Sequence, residues 1–153
     1  MSGLAQATDL IRTEWAAFVD SLAAAGPQAW DLPTRLAGWS VEDLARHVHW
    51  GVTLEENGLA LAGEGRAGTA AGNNLAGPTE EIVPALRTAA ASLVDRLEQL
   101  HEPLSGAVSM PYGELPMGLT VPLFVMEAAM HRSDLAHALS AGSASSNPSR
   151  PYA

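Results

Sequence analysis

The sequence predicts an all-α protein, a four-helix bundle with one or two longer crossover loops. Three observations support this. Four segments of about 20 residues return apolar side chains every three or four positions, no segment alternates convincingly as a strand, and the segments are joined by Gly- and Pro-rich connectors. The length of 153 residues is that of one domain. We expect the bundle to span 1–140 and the Ser-, Pro- and Ala-rich end, 141–153, to form a disordered tail.

The first helix is expected from about Leu4 to Ala25, with Leu10, Ile11, Trp15, Phe18, Val19 and Leu22 on one stripe and Gly26-Pro27 as its stop. Asp31 to Thr34 and Gly38 read as a connector. The second helix opens at Ser40, an N-cap candidate with Asp43 three positions on in a capping-box pattern. Val41, Leu44, Val48, Gly51 and Leu54 form its stripe, which fades near Gly63. Residues 63–77 carry many glycines and read as a flexible loop. No strand precedes them and no Gly-Lys-Ser/Thr follows, so they are not a phosphate cradle. The third helix is expected from about Thr79 to His101, with Ile82, Leu86, Leu93, Leu97 and Leu100 buried and Pro84 just inside its start. Residues 102–118, rich in proline and glycine, read as a loop whose Met110, Pro111, Tyr112 and Met117 line the mouth of a site. The fourth helix follows from about Leu119 to Ser140, with Pro122 in its first turn.

Composition narrows the function. A net charge of −9, with eight scattered cations that are all arginine, argues against nucleic acid as a partner. The N-terminus lacks a basic head followed by an apolar run, and the most apolar stretch, Leu119 to Met130, is too short to span a bilayer. The expectation is a cytoplasmic protein without a membrane partner. The absence of cysteine excludes disulfides, thiolate metal sites and a cysteine nucleophile.

The chemistry-bearing residues lie on two helices. Glu127 and His131 are four apart on the fourth helix, about 40° apart around its axis. Glu127 has apolar neighbours in sequence, and a carboxylate among apolar groups needs a partner, either a metal ion or an arginine. On the second helix His47 falls on the apolar stripe, whereas His49 points about 200° away. An inward His47 together with Glu127 and His131 offers two imidazoles and one carboxylate, a set that suits zinc and also iron or nickel and leaves a coordination position open. Asp134 and Asp43 are candidates to orient the imidazoles. Trp39 and Trp50 are expected in the core or on a pocket wall. His49 reads as a surface residue, His101 as a helix C-terminal residue, and His137 lies off the Glu127 face.

Two segments resemble a known family. Pro33 followed by Gly38-Trp39-Ser40-Val41-Glu42-Asp43-Leu44-Ala45-Arg46-His47-Val48 is similar to the second-helix entry of DinB-like proteins. Glu127 to His131, then Asp134 and Leu139, is similar to their last-helix pattern. The chain most resembles the N-terminal domain of mycothiol-dependent maleylpyruvate isomerases, over about Leu4 to Leu139. The resemblance implies a metal-binding four-helix bundle whose zinc-type ion is held by His47, Glu127 and His131. It also implies isomerase or S-transferase chemistry in which a low-molecular-weight thiol such as mycothiol attacks a small electrophile. DinB-like proteins often dimerise, so a homodimer is a further implied partner. Two other readings stand beside this one. The first is a non-catalytic metal- or ligand-binding bundle serving as a dimerisation or partner module. The second is a metal-free bundle in which Glu127 pairs with Arg46 or Arg132.

Overall fold

The computed structural model describes residues 1–145. Four helices carry the fold: α1 (Gly3–Ala25), α2 (Val41–Gly63), α3 (Ile82–Glu98) and α4 (Met117–Ser145). Single 3-10 turns at Pro27–Ala29 and Thr79–Glu81 precede α2 and α3. α1 packs on α3 and α4, and α2 packs on α3, so the order around the bundle is α1, α3, α2, α4. The connections α1–α2 and α3–α4 therefore run across the bundle between helices that are not neighbours. No helix among the described residues is long and apolar enough to cross a membrane.

The core follows the apolar stripes. Ile11, Phe18, Leu22, Leu44, Leu86, Leu93 and Leu97 are buried. Leu10, expected on the first stripe, faces outward and is 50% exposed. The start of α2 is fixed as its residue types dictate. The Ser40 side chain accepts from the Asp43 backbone N–H while the Asp43 carboxylate accepts from the Ser40 N–H, completing a capping box.

Residues 107–116, expected as loop, are a two-stranded hairpin. β1 (Ala107–Met110) pairs antiparallel with β2 (Gly113–Pro116), with Val108 opposite Leu115 and Met110 opposite Gly113. Strands of four residues carry too little alternation to read, and an isolated hairpin is marginal in water. This one is held by burial of Val108 and Met110 against α2. Met110 and Met117 are thereby core residues rather than lining of a site mouth.

The glycine-rich segment after α2 is not free either. The backbone N–H groups of Ala70, Ala71 and Asn73 donate to Ser109 O, Asn57 Oδ1 and Thr53 Oγ1, and Arg46 donates to the carbonyls of Leu75 and Gly77. A Cβ at Gly72 would lie 2.4 Å from the Trp50 carbonyl oxygen, so this loop is packed down on α2. Helix α3 ends at Glu98, leaving His101 exposed beyond it rather than in a last turn. Helix α4 begins two residues early at Met117, which puts Pro122 inside the helix, and continues to Ser145. The expected tail is thus helical over its first part, because Ala- and Ser-rich sequence continues the helix without a glycine stop strong enough to end it at Gly142. The remainder of that tail, 146–153, lies outside the described residues.

Candidate functional site

Helices α2 and α4 meet only sparsely, and a cavity of about 220 Å³ opens between them. Two helical stripes face into it. His47, Gly51 and Glu55 are spaced by four along α2, and Leu123, Glu127 and His131 are spaced by four along α4. Steps of four drift by about 40° each, so each trio stays on one side of its helix for two turns. Trp15 of α1 and Tyr112 at the tip of the hairpin complete the walls.

The imidazoles are held by their surroundings. The His47 ring sits 4.8 Å from Trp39, edge to face, and 5.8 Å from Trp50, stacked. Across the seam the rings of His47 and His131 are 5.4 Å apart at 76°. His131 Nε2 is 3.4 Å from Glu127 Oε2 and its Nδ1 is 3.5 Å from Asp134 Oδ2. Asp134, 6% exposed, is itself fixed from the α1–α2 connector: Arg35 donates from Nε to Asp134 Oδ1 at 2.7 Å and from its terminal nitrogen to Ser133 Oγ at 3.0 Å. A line of groups thus runs from Arg35 through Asp134 and His131 to Glu127.

The other residues singled out in the sequence are placed as follows. Asp43 is spent at the helix cap and bonds Ser40, not His47. His49 Nδ1 lies 3.2 Å from the Asn73 carbonyl, and His137 is exposed. Arg46 pairs with Glu42 and Arg132 with Glu14, so neither arginine is the partner of Glu127. Glu127 is also not enclosed: its side chain keeps 39% exposure at the rim of the cavity.

The carboxylate that is enclosed is Glu55, which sequence reasoning passed over. It is 7% exposed and its Oε2 has no hydrogen-bond partner in the protein. The signal was available, because Glu55 lies four positions after Gly51 and seven after Val48, beside the apolar stripe. Tyr112 was picked out with its loop, but of the residues named with it Met110 and Met117 are core residues and Pro111 is exposed.

The environments of these groups differ in sign. Burial, followed by the nearby His131, holds the His47 imidazole below its ordinary pKa, with Glu127 opposing. The hydrogen-bonding reach of His131 holds the Glu127 carboxyl below the usual carboxylate value against partial burial. Burial, then the charge of Glu127, pushes the Glu55 carboxyl well above it. Burial and both carboxylates raise the Tyr112 hydroxyl.

The donor chemistry fits a divalent ion in part. Two donors of one tetrahedral ion, each about 2.0–2.1 Å from it, lie about 3.3 Å apart, and two imidazoles on such an ion hold their ring centres about 5 Å apart. The Glu127–His131 distance of 3.4 Å and the ring separation of 5.4 Å match those edges. Among the described residues, however, no three His, Asp or Glu side chains close into a ligand group.

The fold and site define a four-helix-bundle domain with crossed connections and a histidine- and carboxylate-lined cavity between its second and last helices. More specifically, residues 11–136 match the family model of the mycothiol maleylpyruvate isomerase N-terminal domain, and the chain belongs to that family. Two solved structures of the mycothiol-dependent maleylpyruvate isomerase share its fold. One is 17% identical with a TM-score of 0.72. The other, a histidine-to-alanine mutant, is 16% identical with a TM-score of 0.71. Each comparison covers 89% of this chain and 62% of the isomerase, so the chain spans 62% of that protein's length. No curated protein sequence matches it.

Proposed function

We propose that the cavity between α2 and α4 binds one divalent ion, zinc by the chemistry of its donors, through His47, Glu127 and His131. There it serves a thiol-dependent isomerase or S-transferase reaction on a small electrophile. The observation that carries this reading is the placement of His131: it meets Glu127 at 3.4 Å, faces the His47 ring at 5.4 Å, and is backed by Asp134. When bound, such an ion supplies positive charge that favours the thiolate form of a cofactor thiol. The thiol must come from a cofactor because the chain has no cysteine. A mycothiol-type thiol is supported by family membership and by the thiol dependence named for the isomerase of like fold.

The chain's own residues have definable roles. Asp134, gripped by Arg35 and 3.5 Å from His131 Nδ1, is placed to take the proton side of that ring on a small closure and so to turn Nε2 toward Glu127 and the cavity. Burial keeps His47 in the neutral form that ligates, and Trp39 and Trp50 fix its ring. Trp15, Leu123 and Phe124 exclude water from the inner wall.

Elemental analysis of purified protein tests the reading. The wild type is expected to retain about one zinc per chain, with a melting temperature lowered by chelator. His131→Ala is expected to lose both the metal and the chelator response, and the zinc-loaded wild type to consume maleylpyruvate only when mycothiol is supplied. A metal-free wild type whose melt ignores chelator overturns it. A second reading is a non-catalytic metal-binding partner module. Retained metal without thiol-dependent turnover would select it.

A further inference from the structure

Three buried side-chain polar atoms among the described residues lack a hydrogen-bond partner within the protein: Trp15 Nε1, Glu55 Oε2 and His131 Nδ1. All three residues line the cavity between α2 and α4, and Trp15 also borders the groove between α1 and α3. An unmet polar group of this kind costs about 1–3 kcal/mol, so three on residues that line one cavity suggest that something else satisfies them. His131 has Asp134 at 3.5 Å to turn to. Trp15 Nε1 and Glu55 Oε2 have no such neighbour, and the reading above leaves both polar atoms unused.

Glu55 lies eight positions after His47, about 12 Å further along the helix axis. Between them is Gly51, where an added Cβ would meet nothing within 4 Å. The space between the imidazole end and the Glu55 end is therefore continuous and small. The indole N–H of Trp15 is a donor only, and a neutral carboxyl at Glu55 is a donor as well. The indole N–H and the carboxyl O–H are two donors without a partner in the protein, and an acceptor oxygen of a guest satisfies both.

Resting on the reading of this cavity as the electrophile site, we propose that Glu55 and Trp15 form a second polar subsite at its inner end. It receives a carbonyl or carboxylate oxygen of a small oxo acid and holds the guest with its other end toward the imidazoles. Glu55 is here a positioning residue: its proton stays on the carboxyl and is shared with the guest's oxygen. Enclosure of Glu55, followed by the charge of Glu127, favours the protonated carboxyl that this requires, and the Tyr112 hydroxyl is a further titratable group within reach of that carboxyl.

The probe is pyruvate, titrated into zinc-loaded and into chelated protein while the indole N–H resonances are followed, that of Trp15 being assigned with Trp15→Phe. The Trp15 signal is expected to shift saturably in both preparations. Glu55→Leu is expected to weaken the apparent affinity about five- to tenfold, the loss of one such hydrogen bond. Glu55→Gln, whose amide still donates, stays within about twofold of wild type. If Glu55→Leu fails to fold, pH takes its place: the wild-type affinity falls as pH rises and the carboxyl proton is lost, whereas that of Glu55→Gln stays level. A Trp15 signal that does not respond, or a Glu55→Leu variant that binds like wild type, overturns the subsite. Glu55→Leu is also expected to keep the wild-type zinc content, and loss of zinc with pyruvate affinity intact would place Glu55 on the ion and refute the assignment. Should the wild type hold no zinc while the Glu55-dependent response persists, the metal reading fails and the subsite stands.

Discussion

The seam between α1 and α3 and the seam between α2 and α4 are built from different materials. The first packs Ile11, Phe18, Leu22, Leu86, Leu93 and Leu97, all buried and all apolar, beneath an open groove bordered by Val19, Ala90 and Val94. The second brings Val48, Val52, Phe124 and Ala128 together with His47, Glu55, Glu127 and His131, and it leaves a cavity. The difference shows where stability and chemistry are divided. Apolar side chains fill the inner side of one seam and leave only an open surface groove, while the other keeps polar groups that require partners around a more enclosed cavity.

Truncating one large aromatic on each side is the strongest way to break the comparison. Phe18→Ala, in the first seam, is expected to destabilise the fold by about 4–5 kcal/mol in urea denaturation. Phe124→Ala already borders a cavity, so it is expected at the lower end of the range, about 3 kcal/mol. Equal losses would mean that both seams are packed alike.

A smaller effect separates two glycines of α2. A Cβ at Gly58 would lie 2.7 Å from Val108 Cγ1 under the hairpin, whereas a Cβ at Gly51 would meet nothing within 4 Å. Gly58→Ala is expected to cost about 1–3 kcal/mol through overpacking. Gly51→Ala is expected to stabilise by about 0.5–1 kcal/mol through helix propensity. Opposite signs in thermal melts are the outcome that sharpens the comparison, and a shared sign would refute it.

The subtlest effect is one of pH. The folded-state pKa of Glu55 is raised above its ordinary 4.5, so the folded state holds that proton more tightly than the unfolded chain. The associated stability is fully present below 4.5 and is lost as pH rises through the folded-state value. Denaturation of wild type and Glu55→Gln across a pH series should show the wild type declining relative to the variant as pH rises from that point. Parallel curves would mean that Glu55 is not enclosed as described.

Much of this was legible in the chain. The stripes of Ile11, Phe18 and Leu22, and of Leu86, Leu93 and Leu97, set the helices, and Ser40 with Asp43 set the start of α2, because a helix and its cap depend on residues three and four apart. The hairpin was not legible, since its strands are too short to show a period and depend on α2 for burial. Nor was the exchange of roles between two carboxylates. Glu127 has apolar neighbours in sequence yet sits at the rim, whereas Glu55 is enclosed.

By itself, the sequence determined four amphipathic helices, the cap of the second, and which of its histidines lies on the inward stripe. All of these are local, decided by periodicity along one segment. Only the tertiary structure decided that α2 and α4 stand apart, that Arg35 reaches across to Asp134, and that Trp15 and Glu55 share a cavity with His131. Those depend on how far apart two packed helices come to rest, a quantity fixed by every side chain between them and by no single segment.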